Sequence, residues 1–421
     1  MNIDRNNLNN REFDKEAPQN SCPERMTIAE RQGMSEDKKF EVKPTPSKTD
    51  FSSCSGIRIA ARIHPFSHLP GTVCLLPKTH LKLQIFPTRV HFFLFEEASF
   101  LFTLSWDIQG PLKDFTVEMD LQQEQINVFG MTATGYIRYR LRRQSDGIGV
   151  IIDKLPQECV NCHLSHHNQT YRLSRGETLL IPRTFIEQPP LFQPERLSLG
   201  MHKMQDWEHI KRRQDLKEIL PIWMRLGQIT PHLPPSSSTK GNLSLLEKCR
   251  ESIRDNLKQE ILPAFTRLFL TAFDGICVPR LFDVDYQGIL PVEKAESTDP
   301  SPIPILTEGA ALIRSLFLKE TQDLLSLLPC LPADFHAGRV LEAHTLLGDR
   351  VDFEWTKKLL RRVILRPHSE RIVRLKISRQ IRACRVRTSL KERGREHSLK
   401  DGILLLELSP KQTLFIDCFK K

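Results

Sequence analysis

The hydrophobic period of this chain changes twice, from two to about 3.6 and back to two, and that order limits the fold more than any other feature. From Gly56 to about Pro190 the segments GIRIAARI, LKLQIF, VHFFLF, FLFTLSW, FTVEMDL, QINVFG, TGYIRYRLRR, GIGVIID and TYRL read as short strands. Pro70-Gly71, Gly110-Pro111, Ser145-Asp146-Gly147 and Arg175-Gly176 separate them as turns, which predicts an antiparallel sandwich. From about Pro194 the pattern becomes helical. DWEHIKRRQDLKEILPIWMRLGQ places Trp207, Ile210, Leu216, Ile219 and Leu220 near one face. In LSLLEKCRESIRDNLKQEILPAFTRLFLTAF, Leu246, Cys249, Ile253, Leu257 and Ile261 recur at helical spacing. Pro263 is expected to kink or divide the latter. TEGAALIRSLFLKETQDLLSLL reads as one further helix. The prolines of PHLPPSSSTK and of Leu290–Pro304 mark loops. Beyond Pro332, RIVRLKISRQ, RACRVR, GILLLEL and QTLFIDCF are strands again.

The expected architecture is multidomain and mainly β: an N-terminal antiparallel β-sandwich over 56–190, a central helical region over 194–330 and a C-terminal β-sandwich over 332–421. Residues 1–55 are polar and lack periodicity, so they are expected to form a disordered tail. The longest apolar candidate, VHFFLFEEASFLFTL, is interrupted by Glu96 and Glu97 and falls short of the roughly 20 residues a transmembrane helix needs. The N-terminus carries Asp4, Glu12, Asp14 and Glu16 and no apolar h-region, which makes cytoplasmic residence the expectation. Ten scattered cysteines in a chain of 421 residues read as reduced thiols and not as a disulfide framework.

Residues 303–377 combine a helix-length apolar segment with Leu328-Pro329-Cys330-Leu331-Pro332, Gly338, Gly348 and the strand Val351-Asp352-Phe353-Glu354-Trp355. This stretch resembles the C-terminal part of family-95 glycoside hydrolases, the α-L-fucosidase-like enzymes. Lys357-Lys358 departs from the Asp-Gly turn usual there, and Gly348-Asp349-Arg350 is more polar than the family's turn. The resemblance implies a helical toroid between β domains, with the catalytic carboxyl groups on the toroid. A twelve-helix toroid needs on the order of 200 residues. The helical region here spans about 125 and builds at most half of one. The expectation is therefore a glycoside-hydrolase-like pseudoenzyme with a carbohydrate-related or scaffolding role. The alternative is an active glycosidase using unfamiliar carboxylates.

Glycoside cleavage needs two facing carboxyl groups, one of them kept protonated. Asp283 and Asp285 flank Val284 on what reads as a strand, share a face, and are the candidate catalytic pair. Asp206/Glu208 and Asp215/Glu218 alternate with Lys203, Lys211, Arg212, Arg213 and Lys217 and read as solvated helix pairs. Glu308 falls near a helix start, where the dipole favours the ionised form. Trp106, Trp207, Trp223 and Trp355 are scattered and read as core residues, not as a sugar platform.

Cys159-Val-Asn-Cys162-His163, with His166 and His167 close behind, has the composition of a metal or haem-attachment site. All five ligands crowd into nine residues, so the reading is a hairpin loop with polar tips, and no cofactor is expected. Lys357–Lys400 holds sixteen Lys and Arg against Glu370, Glu392 and Glu396, within a chain of net charge +10. Arg374, Lys376, Arg382, Arg385 and Arg387 alternate with apolar residues and are expected to form one cationic sheet face, the candidate anion-binding residues. Anionic membrane, protein and carbohydrate partners are compatible with that face. Nucleic acid is less so, because interleaved aromatics are missing.

Overall fold

The computed structural model describes residues 56–95, 99–109, 112–165, 168–185, 194–201, 203–233, 239–286, 288–290 and 299–421. The tail expected over 1–55 lies outside them. The described residues belong to one compact unit and are mainly β, built of several antiparallel sheets with five helices among them. None of these helices is long and apolar enough to cross a membrane.

The N-terminal strands form two six-stranded sheets. One runs in the order Phe66–Ser67, Lys113–Asp120, Gln125–Thr132, Gly135–Gln144, Gly147–Lys154, Thr178–Pro182. The other runs Gln169–Ser174, Cys159–Leu164, Ser99–Trp106, Arg89–Leu94, Leu81–Phe86, Thr72–Leu75. Alternation sets which face of each strand is buried: in Leu81–Phe86, Leu83 and Ile85 are fully buried while Lys82 and Gln84 are not. Each such aliphatic side chain contributes about 1.5–3 kcal/mol through removal from water. Trp106 and Tyr139, one from each sheet, meet with ring centroids 4.8 Å apart and join the two inner faces.

GIRIAARI departs from expectation, because it is extended without joining a sheet ladder. Side chains satisfy part of its backbone instead: Arg196 Nη2 donates to the carbonyls of Ile59 and Ala61, and Arg339 Nη1 to that of Arg58. Its alternation still directs packing, with Ile57 and Ile59 buried against Leu341 and Ile364.

The helices are α1 (Trp207–Arg213), α2 (Leu216–Ile229), α3 (Leu243–Arg254), α4 (Lys258–Ala272) and α5 (Ile303–Phe317). Asp206 and Asp215 are the N-caps of α1 and α2, their carboxylates accepting from N–H groups of the first turn. The break between α3 and α4 falls at Asp255–Leu257, not at Pro263. Asn256 adopts φ 54° there, a left-handed residue that ends α3, while Pro263 is accommodated inside α4. The stretch read as a single long helix also divides. After Phe317 the chain turns extended at Leu318 (φ −141°), and Leu318–Glu320 pairs with Leu324–Leu327 as a hairpin. Leu325 and Leu327 point inward while Leu324 and Ser326 do not, a period-two pattern that an all-helical reading of the leucines conceals.

The C-terminal residues build a seven-stranded sheet in the order Arg196–Ser198, Ala337–His344, Arg350–Thr356, Leu359–Arg366, Leu414–Lys420, Ala383–Arg387, Arg395–Ser398. A four-stranded sheet runs Leu318–Glu320, Leu324–Leu327, Arg371–Lys376, Ile403–Leu408, with its second and third strands parallel. Both sheets therefore take strands from outside 332–421. One hydrophobic cluster runs from Ile63 through the helices to Ile416.

A buried ion-pair network ties these parts together. Arg314 of α5 donates from Nε to Glu195 Oε1 at 2.9 Å, from Nη1 to Glu320 Oε1 at 3.2 Å and from Nη2 to the His344 carbonyl at 2.6 Å. The His344 N–H and the Gln228 amide also donate to Glu195. Burial pushes the Glu195 carboxyl above its ordinary range, against the opposing pull of Arg314 and these donors.

Candidate anion-binding face

The strand Arg371–Lys376 alternates strictly: Val373 and Leu375 are buried, while Ile372, Arg374 and Lys376 point out. Register places the outward side chains of its neighbours beside them. Arg374 lies between Leu324 and Leu405, Lys376 between Ser326 and Ile403, and Ile372 beside Glu407. Lys319 pairs with Ser326 and continues the Lys376 row. The result is one sheet face of cations interleaved with aliphatic side chains, on which Ile372 and Leu405 are 63% and 64% exposed.

Further cations collect at the end of the sheet where Lys376 sits. The Ile377 N–H donates to the Gly402 carbonyl, and the Leu399 N–H to the Arg382 carbonyl. These bonds bring the loops carrying Arg379, Arg382 and Lys400 together beside the sheet, and all three residues are exposed. Among the described residues, none of the side chains of Arg374, Lys376, Arg379, Arg382 and Lys400 has a carboxylate in ion-pair range. Asp323, Asp401 and Glu407 are the exposed acids of this region, and the Asp323 carbonyl accepts from the Arg374 N–H at 2.9 Å. Strand geometry puts Arg374 and Lys376 about 7 Å apart, inside one Debye length, so their fields add.

The expected single cationic face is corrected in one respect. Arg385 and Arg387 lie on the strand Ala383–Arg387 of the seven-stranded sheet, not beside Arg374. Both are engaged: Arg385 Nε donates to Asp417 Oδ1 at 2.7 Å, and Arg387 Nη2 to Asp417 Oδ2. Burial raises the Asp417 carboxyl, but the two guanidiniums outweigh it and hold the group below the usual carboxylate range. Three other arginines of the basic segment are paired as well. Arg362 binds Glu354 at 2.6 Å, Arg366 binds Asp352 at 2.8 Å, and Arg371 binds Asp349. Asp349, Asp352 and Asp417 precede or follow the basic segment or sit between its strands, so counting charge within that segment alone misses the pairing.

Asp283 and Asp285 do not share the strand face that the period-two reading expects. They lie in a turn around Val284, which is 73% exposed. Both carboxylates bind the same guanidinium, Asp285 at 2.7 Å and Asp283 at 3.4 Å from Arg280. Asp283 is buried while Asp285 is exposed, so the two do not face each other across a cleft. Glu218, read as solvated, is buried and takes Arg213 Nε at 2.8 Å. Glu308 binds Arg250. The four tryptophans are buried, as their scatter implies.

Cys159 and Cys162 cannot share a metal ion. The pentapeptide is not a loop but the strand Cys159–Leu164, paired on both sides. Residues three apart on a strand point to opposite faces. Cys162 is fully buried in the core, whereas Cys159 and His163 are on the outer face. Arg172 Nε reaches Cys159 Sγ at 2.8 Å, and His163 Nδ1 contacts Thr170 Oγ1 at 3.2 Å. His166 and His167 lie outside the described residues. Among the described residues no group of three His, Cys, Asp or Glu is arranged to hold a metal ion.

Burial pushes the thiols of Cys162, Cys249 and Cys384 up to about 12. A thiol so placed is almost wholly protonated at neutral pH and unreactive. Exposed Cys418 is expected to react with iodoacetamide in the native protein, while these three react only after unfolding. Peptide mapping after timed labelling checks this, and early modification of Cys162 would contradict the strand placement.

No family model matches the chain, and a search of curated proteins returns no match.

Proposed function

We propose that this protein is a non-catalytic binding or scaffolding protein of glycoside-hydrolase-like ancestry that engages an anionic partner through the outer face of its four-stranded sheet. The observation that carries this reading is the sorting of cations. Five arginines of the basic segment are spent on carboxylates; of the other eleven cations, Arg374, Lys376, Arg379, Arg382 and Lys400 gather at the four-stranded sheet, while Lys357, Lys358, Arg361, Lys391, Arg393 and Arg395 are spread over the seven-stranded sheet and its turns. Unpaired, solvated cations concentrated on one surface attract polyanions and raise their association rate. Support for the ancestry comes from the order of the sequence, β then helical then β, and from the resemblance over 303–377. The ion pairing of Asp283, Asp285 and Glu308 favours a binding role over hydrolysis.

The test is binding of a sulfated oligosaccharide, followed by fluorescence anisotropy at low salt. Arg374→Glu/Lys376→Glu is expected to weaken it by about tenfold or more. Lys357→Glu/Arg361→Glu, the same charge change on exposed residues of the seven-stranded sheet and its hairpin turn, should change it far less. Equal loss in both variants would mean that net charge, and not this face, governs binding. Turnover of aryl glycosides that disappears in Asp283→Ala would replace the binding role with the enzymatic alternative.

A further inference from the structure

We infer that the anionic partner of this face is a lipid surface. The inference rests on the reading of the face as an anion-binding site and adds to it the class of partner. The observation behind it is the pairing of unlike side chains in register. Leu405 stands directly beside Arg374, Ile372 is the next outward residue along the same strand, and Ile403 lies beside Lys376. Ile372 and Leu405 are among the most exposed large aliphatic side chains of the described residues, and both sit on this face among unpaired cations. A soluble polyanion has no use for exposed leucine and isoleucine. An anionic bilayer takes both kinds of group: phosphates meet the cations at the headgroup level, and the aliphatic tips enter the acyl boundary below them. Lysine and arginine stems are themselves apolar, so Arg374 and Lys376 can lie along the aliphatic residues and still present their charges.

Nucleic acid is the competing occupant, and the face is poorly made for it. Protein surfaces that bind single strands stack bases on aromatic rings. The outward residues of the four strands, from Lys319 through Ser326, Arg374 and Lys376 to Leu405 and Glu407, include no aromatic side chain. Glu407 is the one acid among them. It lies beside Ile372 at the end of the sheet away from Lys376; the Lys376 end carries Lys376, Arg379, Arg382 and Lys400 against the single acid Asp401.

Vesicle co-sedimentation of the full chain tests this, with phosphatidylcholine vesicles compared with phosphatidylcholine containing phosphatidylglycerol. The protein is expected to sediment with the anionic vesicles only. Ile372→Ser/Leu405→Ser is expected to reduce vesicle partitioning by about tenfold. Binding of the soluble sulfated oligosaccharide should stay unchanged in that variant, since neither residue carries charge. Arg374→Glu/Lys376→Glu is expected to reduce both, by about 25-fold or more for vesicles at roughly fivefold per cation. Both variants alter exposed side chains, and thermal melting equal to that of the parent protein establishes that they fold.

The outcomes separate the two claims. Vesicle binding that survives Ile372→Ser/Leu405→Ser unchanged overturns the lipid assignment while the anion-binding reading stands. The same holds for equal binding to neutral and anionic vesicles, or for a preference for single-stranded RNA over vesicles. Failure of Arg374→Glu/Lys376→Glu to affect either ligand overturns both.

Discussion

Arg314→Met is expected to destabilise the protein by about 3–5 kcal/mol, the usual cost of leaving one member of a buried ion pair without its partner. Arg314 and Glu195 are each almost wholly buried, and Arg314 also holds Glu320 and the His344 carbonyl. Removing the guanidinium strands the Glu195 carboxylate between α2, α5 and the seven-stranded sheet. Replacing both ends, as Glu195→Leu/Arg314→Met, should recover much of the loss, because burying a well-packed apolar pair costs little beyond the lost hydrogen bonds. The single variant should also lose less stability in mildly acidic buffer. Burial already raises the Glu195 carboxyl, and without Arg314 it takes up a proton more readily. Urea unfolding of the two variants and the parent protein measures this. A cost below about 1 kcal/mol for Arg314→Met would show that the network does not hold the sheets and helices together.

The second large effect is expected where α2 and α5 cross. Gly227 and Gly309 lie inside helices, where glycine costs roughly 0.5–1 kcal/mol relative to alanine. Packing accounts for their presence. A Cβ on Gly227 would stand 2.4 Å from the Leu306 carbonyl oxygen, and one on Gly309 would stand 2.5 Å from the Trp223 ring. Trp223 is itself fixed by a hydrogen bond from Nε1 to Leu306 O at 3.2 Å and by Phe265 and Phe273 against its faces and edges. Neither helix can retreat without opening this aromatic cluster. Gly227→Ala is expected to cost about 1–3 kcal/mol net of its helix propensity, and Gly309→Val more than that. Thermal melting checks both, with Gly176→Asn as the comparison: Gly176 has a positive φ of 87°, which asparagine tolerates, and open space around it. A neutral Gly309→Val would contradict the close crossing.

Period-two alternation makes much of the sandwich legible in the sequence. Leu83, Ile85, Val373 and Leu375 all face inward as the spacing requires. The errors have a common cause, which is that local pattern does not report the partner. GIRIAARI alternates like a strand, yet Arg196 and Arg339, distant in sequence, supply its hydrogen bonds. The leucines after Phe317 suit a helix or a strand, and the strand Arg371–Lys376, fifty residues on, makes them a strand. Asp206 and Asp215 could have been identified as N-caps, since each stands directly before an apolar helical run.

The site was only partly legible. Arg374 and Lys376 are outward-facing, as alternation alone indicates. Which other cations share their face depends on sheet membership, and which are free depends on Asp349, Asp352 and Asp417, residues that no local charge count relates to them. The loops carrying Arg379, Arg382 and Lys400 come together only because the strands Arg371–Lys376 and Ile403–Leu408 pair. Cys159 and Cys162 illustrate the reverse case. Their spacing suggests a metal site as long as the segment is a loop, and a strand sends the two thiols to opposite faces.

The central claim is that unpaired cations on one face of the four-stranded sheet bind a polyanion, and the dependence of that binding on salt tests it most directly. Each cation that displaces a condensed counterion contributes about 0.7–0.9 to the slope of log K against log salt concentration. Measured with the sulfated oligosaccharide, the parent protein is expected to show a steep negative slope, and Arg374→Glu/Lys376→Glu a slope shallower by about 1.4–1.8. A slope near zero in the parent protein, or one that the double variant leaves unchanged, would contradict the account.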